Sequence, residues 1–439
     1  MKRKLTFIIA LALTITAADA QTWMPVSTGT NNTVLTLDSI NGTLYAGGGF
    51  TTAGGNPANY IAKWDGISWT TLDSGLNSNV WAIGSLNGNI YASGDFTTAG
   101  GNPANYIAEW NGNTWSAMGS GFYLSIGSAQ GQVFATYNDT LYAGGAFESA
   151  NGISASNIVK WDGTVFSPVL TGTGGPASSL HVYNNSLYVG GGFLAAGGTL
   201  AHYIALWNNT AFSGLDTGMG PSLVQTHVFA ITDYNGKIFA GGFFSTAGGD
   251  TAHFIAQWNG TSWSPVGGGM NGFVYSLAVY NGALYAGGNF TLAGGISAKY
   301  IAKWDGTSWS AVDSGMNSGV HTLAVYNNEL YAGGSFTIAG GDSISHIAKL
   351  STTTAVNDIP DSQFQLSIYP NPADNNITVI TNQTKQSFLS IYNLEGELLL
   401  SQPVHQEKST IDISSLAQGM YFIKLYSENG VTMKKFIKE

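Results

Sequence analysis

The 439-residue chain has no cysteine and only 9% charged residues, and each shortage removes a class of solution. Without Cys there is no disulfide, no thiolate nucleophile and no Cys-based zinc site, so stability must come from packing. Cations are the scarcer charge: 15 Lys and Arg stand against 25 Asp and Glu, a formal net charge of −10. Residues 21–350 hold 6 Lys and Arg and 15 Asp and Glu, a balance of −9. Such a body lacks the clustered cations that phosphates require, so neither nucleic acid nor an anionic membrane is an expected partner.

Long apolar runs are also missing. The longest, Leu5–Ile15, falls short of the ~20 residues that span a bilayer. It follows Lys2, Arg3 and Lys4 and precedes Ala18-Asp19-Ala20, a small-x-small cleavage site before Gln21. That order predicts a cleavable signal peptide over 1–20 and a mature protein with no transmembrane segment.

What the chain has is glycine, 59 residues, with 12% aromatics and no every-third spacing. This combination predicts short strands joined by many tight turns. A repeat confirms the reading at sequence level. The tract Leu44-Tyr45-Ala46-Gly47-Gly48 recurs seven times, with its aromatic at Tyr45, Tyr91, Tyr142, Tyr188, Phe239, Tyr285 and Tyr331. Nineteen residues after each of the first six stands a Trp, and after the seventh Leu350.

One unit, Val274–Met316, resolves into strands over Val274–Tyr280, Ala283–Phe290, Tyr300–Trp304 and Ser308–Asp313. Asn281-Gly282 and Asp305-Gly306 are expected as two-residue hairpin turns. Four strands per repeat predict an all-β, seven-bladed β-propeller over 21–350. The seventh unit lacks its last strand, and Trp23-Met24-Pro25-Val26 matches Trp263-Ser264-Pro265-Val266. An N-terminal strand is thus expected to complete the last blade; an open solenoid would need no such complementary end.

The motifs Gly48-Gly49-Phe50, Ile61-Ala62-Lys63-Trp64-Asp65-Gly66 and Trp69 make the unit resemble kelch-like and bud-site-marker-like repeats. That resemblance implies a propeller and leaves activity open. After a linker at 351–363, short strand patterns over 364–439 predict a small β-sandwich. Here Tyr369-Pro370-Asn371-Pro372 comes first, then Ile391–Glu397 with Gly396, then Gly419-Met420-Tyr421, and finally Lys434-Lys435-Phe436-Ile437. The segment resembles the C-terminal sorting domain of type IX secretion substrates. The resemblance implies type IX machinery as partner, removal of the domain, and a surface-bound or released fate at a Gram-negative outer membrane.

No catalytic constellation stands out, and no cofactor or metal is expected. Nucleophile elbow, HExxH and Walker patterns are missing. Asp65, Asp162 and Asp305 sit in repeat-equivalent turns where Asn replaces them elsewhere, so they read as turn formers. His202 and His253 share one repeat position, too few ligands for a metal. Asp95, Asp139 and Glu148 break the repeat. Two spacings of 51 rather than 46 residues place insertions around Phe122–Gln132 and Gly220–His227. Phe122, Tyr123, Leu223 and His227 in them are candidate binding-loop residues on one face. The expected function is recognition or adhesion through a glycan or protein ligand. The alternative is a carbohydrate-active enzyme with paired channel carboxylates.

Overall fold

The computed structural model describes residues 20–220, 226–353, 366–381, 387–393, 398–404, 406–427 and 430–439. The predicted signal peptide up to residue 19, Leu223 and Gly396 lie outside the described residues. All regular structure among the described residues is β. The chain divides into two compact units, one over Asp19–Thr353 and one holding Thr354–Glu439.

The first unit contains seven four-stranded antiparallel sheets. In the sixth, Phe273–Tyr280 pairs with Ala283–Asn289, which pairs with Ile301–Trp304 and then Trp309–Ala311. The register explains the nineteen-residue offset, because the strand returning from the Gly-rich loop sets Trp304 opposite Leu284, beside Tyr285. Each first strand lies against the first strands of neighbouring sheets, and Val320–Tyr326 of the seventh lies against Val34–Ile40 of the first.

Turn chemistry follows the sequence in one hairpin and departs from it in the other. Asn281 and Gly282 both take positive φ, 47° and 71°, as a two-residue turn requires. The Asp305-Gly306 expectation is corrected: Trp304 pairs with Trp309, so the loop has four residues. Asp305 Oδ1 accepts the N–H groups of Thr307 and Ser308 at 2.7 and 2.8 Å, which closes the longer loop as an Asx turn. The Gly-rich loops hold a further device, a two-pair hairpin such as Leu292–Ala293 with Ile296–Ser297, turned by Gly294 and Gly295 at φ 56° and 82°.

Neighbouring sheets meet through glycine. A Cβ on Gly47 would lie 2.6 Å from Val80 Cγ1 of the next sheet, so only glycine lets that valine in. Between the second and third sheets the pair is exchanged: Ser93 stands where Gly47 does, and Gly131 where Val80 does. The close approach is kept with the bulk moved across.

Ala20–Pro25 forms the outer strand of the seventh sheet, with Trp23 opposite Leu350. Trp23 is buried in the core with Val312, Met316 and Leu350. The neighbouring Val26 carbonyl accepts the Trp69 indole N–H of the first sheet at 3.4 Å. The partner strand runs to Thr353, three residues beyond the expected end of the repeat, because Ala20–Thr22 extend the ladder that far.

The second unit has a three-stranded sheet of Leu366–Tyr369, Asn376–Thr381 and Lys408–Asp412. A four-stranded sheet comprises Ser387–Tyr392, Leu398–Val404, Gly419–Ser427 and Gly430–Lys438. Residues of both sheets share one core, including Ile377, Val379, Ile391, Ile423 and Phe436.

Candidate functional site

Every first strand in the first unit carries a register shift at the same place. Pairing passes from Val34 to Thr36, from Val80 to Ala82 and from Gly131 to Val133, and likewise in the other four sheets. A bulge leaves one residue unpaired and re-aims its side chain. The seven residues so placed are Leu35, Trp81, Gln132, Ser178, Phe229, Tyr275 and His321, and with Gln130 they line one cavity of about 440 Å³. All seven are half-buried. A second cavity of about 400 Å³, which shares Trp81, Gln132, Phe229 and Tyr275, is lined by all seven first strands.

The first cavity mixes aromatic and polar groups. Phe229 and Tyr275 meet edge-on at 5.6 Å between centroids, and Tyr275 and His321 lie nearly parallel at 5.5 Å. Ser178 Oγ donates to Gln132 Oε1 at 2.5 Å and meets His227 Nε2 at 2.7 Å. Gln130 Nε2 donates to Asp95 Oδ1 at 3.1 Å, and Asn79 Nδ2 to Asp95 Oδ2 at 3.2 Å. Burial lowers the His227 pKa to about 4 and also lowers that of His321, so both imidazoles are neutral near pH 7. No Asp, Glu, Lys or Arg is among the described residues lining this cavity.

Deeper in the second cavity stands Asp38, whose carboxyl burial raises to about 6 against the lowering effect of the Ser39 N–H. It is the one carboxylate among the described residues lining that space. His181 Nε2 lies 3.0 Å from Asp233 Oδ1, with His181 also at the second cavity.

The sequence-predicted loop residues separate. Phe122 is 2% exposed and stacks on Phe147 at 4.4 Å, a core position created by pairing of Phe122–Tyr123 with Ser149–Ala150. Its ring packs inside the unit, so Tyr123 is the residue this pairing leaves exposed. Tyr123 is 58% exposed but does not line the cavity at the bulges. Glu148 anchors the insertion, accepting Ser125 Oγ–H at 2.7 Å, which accounts for its departure from the repeat. His227, at the end of the second insertion, supports the cavity through Ser178 and stacks on Phe229 at 4.5 Å. Leu223 is among the undescribed residues.

The remaining polar candidates serve local structure. Asp65 Oδ1 accepts the N–H groups of Ile67 and Ser68 at 2.8 Å, and these bonds, Ser68 first, hold its carboxyl below its usual range. Asp139 takes φ 52° in its hairpin turn. His202 Nδ1 is 2.9 Å from the Thr217 carbonyl oxygen. Among the described residues no three His, Asp or Glu side chains gather as a metal site.

Sequence reasoning missed Trp81, Phe229, Tyr275 and His321, although a signal was present. Stacking the first strands in repeat register gives Val-Leu-Thr-Leu, Val-Trp-Ala-Ile, Gly-Gln-Val-Phe, Ala-Ser-Ser-Leu, Val-Phe-Ala-Ile, Val-Tyr-Ser-Leu and Val-His-Thr-Leu. The second position changes in every unit.

In the second unit, the first and last predicted sorting motifs meet. Asn371 Oδ1 accepts the Ile437 N–H at 2.9 Å, and Ala373 N–H donates to the Ile437 carbonyl. The peptides preceding Pro370 and Pro372 are cis. Tyr369 is exposed, with Lys408 Nζ 5.8 Å from its ring centroid. Tyr421 is buried and donates its hydroxyl proton to the Ala417 carbonyl at 2.7 Å. Gly419 begins its strand opposite Lys438, and Lys434 and Lys435 are exposed.

A comparison with curated proteins gives no match. Among solved structures, the extracellular domain of a protein described as a hybrid two-component system from B. thetaiotaomicron is similar in fold, with TM-score 0.52 and 10% identity. That likeness covers 96% of this chain and 59% of the other, so the chain spans less than two thirds of that relative. The computationally designed protein Ika8 gives a TM-score of 0.43 and 14% identity over 93% of this chain and 97% of its own. No helix among the described residues is long and apolar enough to cross a membrane. Residues 367–439 match the secretion system C-terminal sorting domain, and the chain is thereby marked for export to the cell surface or the medium.

Proposed function

We propose that the chain is an exported recognition protein: a seven-bladed β-propeller, kelch-like in its repeat, that binds a glycan or protein ligand at the face bearing the bulges. Supporting the propeller are seven four-stranded sheets whose first strands follow one another and a terminal strand that completes the seventh. Residues 1–20 would be removed as a signal peptide, which takes Ala20 off the end of the outer strand, and the domain at 364–439, a small β-sandwich reached through a linker that starts beyond Thr353, would be read by the type IX machinery. Loss of that domain would leave a mature protein free in the medium or held on a surface glycolipid.

The observation that carries the recognition reading is the cavity at the bulges. A repeated scaffold presents a different side chain from every sheet to one space, which suits selection of a ligand. A glycosidase would need a second carboxylate facing Asp38 at ~5–10 Å, and the described lining residues supply none. The test is a glycan array together with affinity capture of extracellular proteins, each run with the unmodified chain and with Tyr275→Ala. Ligand binding that weakens in the variant is expected; no variant-sensitive ligand in either format would sink the reading.

A further inference from the structure

We propose that the cavity at the bulges takes one ring of a neutral saccharide, an inference that rests on the recognition reading above. Placement argues first. The residue before the bulge is Val in five of the seven sheets, where it fills the space beside a neighbouring glycine. The bulged residue itself is aromatic in three sheets and carries an amide, a hydroxyl or an imidazole in three more. Packing between sheets thus fixes one position while its neighbour is free to vary, and the variable one faces the cavity.

Chemistry argues second. A pyranose ring has C–H faces that pack on aromatic rings, and hydroxyls that both donate and accept. Phe229 and Tyr275 supply the aromatic side. On the third and fourth sheets Gln130, Gln132 and Ser178 carry groups that donate and accept, as sugar hydroxyls require. The Gln and Ser groups are already held by Asp95, by each other and by His227, so they meet a ligand in fixed orientation.

Charge argues third. The lining has no Asp, Glu, Lys or Arg among its described residues, and its His321 is kept neutral by burial. An ionised ligand would lose water there without gaining a counter-charge. A cavity of about 440 Å³ lies within the ~300–1,000 Å³ usual for small-ligand sites.

Calorimetric titration of the full chain with neutral mono- and disaccharides of gluco, galacto, manno and xylo configuration tests this, with glucuronate as the anionic control. At least one neutral sugar is expected to bind. Tyr275→Ala and Gln132→Ala should each weaken it about tenfold or more, Tyr275→Phe should retain it, and Leu200→Ala, exposed beside a fourth strand, should change nothing. If Tyr275→Ala melts early, Gln132→Ala carries the comparison. The proposal is overturned if no neutral sugar binds, if glucuronate binds better, or if both cavity variants leave affinity unchanged. A protein ligand still lost in Tyr275→Ala would then preserve the recognition reading, whereas indifference of every ligand to the variants would remove both.

Discussion

Asp38 illustrates how much a single carboxyl contributes to pH behaviour here. Burial raises its pKa from 3.8 to about 6. A carboxyl whose folded pKa exceeds its unfolded value holds its proton more tightly in the folded state. Its stabilising contribution is therefore full below about pH 4 and is lost as pH rises through about 6. Asp38→Asn removes the ionisation, so its melting temperature should exceed that of the parent at pH 7–8, with the difference vanishing near pH 3.5. Melting curves with a pH-independent difference would contradict this account. At the same scale, Asp65, Asp162 and Asp305 were legible as turn formers because Asp and Asn interchange only where a side-chain oxygen caps local N–H groups. The bulged residues were not legible in the same way, since the alternation rule that identifies a strand is blind to one inserted residue.

Among the elements, the N-terminal strand is where sequence and structure agree most closely. Its Trp23-Met24-Pro25-Val26 copies the start of a fourth strand, and Trp23 takes the position opposite Leu350 that Trp263 takes opposite Trp258. Trp23→Ala should destabilise the first unit by about 3–5 kcal/mol, the usual range for emptying a buried large aromatic. Denaturant unfolding monitored on that unit checks it; a change under 1 kcal/mol would mean the strand is dispensable. The seven two-pair hairpins escaped sequence reading for a plain reason. Thr52–Ala53 with Asn56–Pro57 is too short to show a period, and its Gly-Gly turn reads as loop. Likewise Asp-Gly signalled a reversal without giving its length, which the Asx bonds decide.

For the whole molecule, the division into two compact units is testable. Deleting Thr354–Glu439 should leave the fold of Asp19–Thr353 intact, since every sheet of that unit draws its strands from within it. The deletion should nevertheless abolish arrival at the cell surface or in the medium, measured by fractionation of a producing cell. Normal export of the shortened chain would show that the sorting match at 367–439 is not what directs it. The sorting motifs were legible because each is a short run of neighbouring residues. Their physical link, the Asn371 side chain on the Ile437 N–H, was not, because 66 residues separate the partners.

The pairing of Trp23 with Leu350 also sets a timetable. A chain that emerges N-terminus first carries Ala20–Pro25 as an unpaired strand until Ile347–Thr353 follows it. Once Ile347–Thr353 is in place its edge is an open acceptor, and the N-terminal strand of any other copy is chemically the same donor. Crowded or truncated chains would therefore exchange strands and form swapped dimers through native pairing, without any misfolded contact.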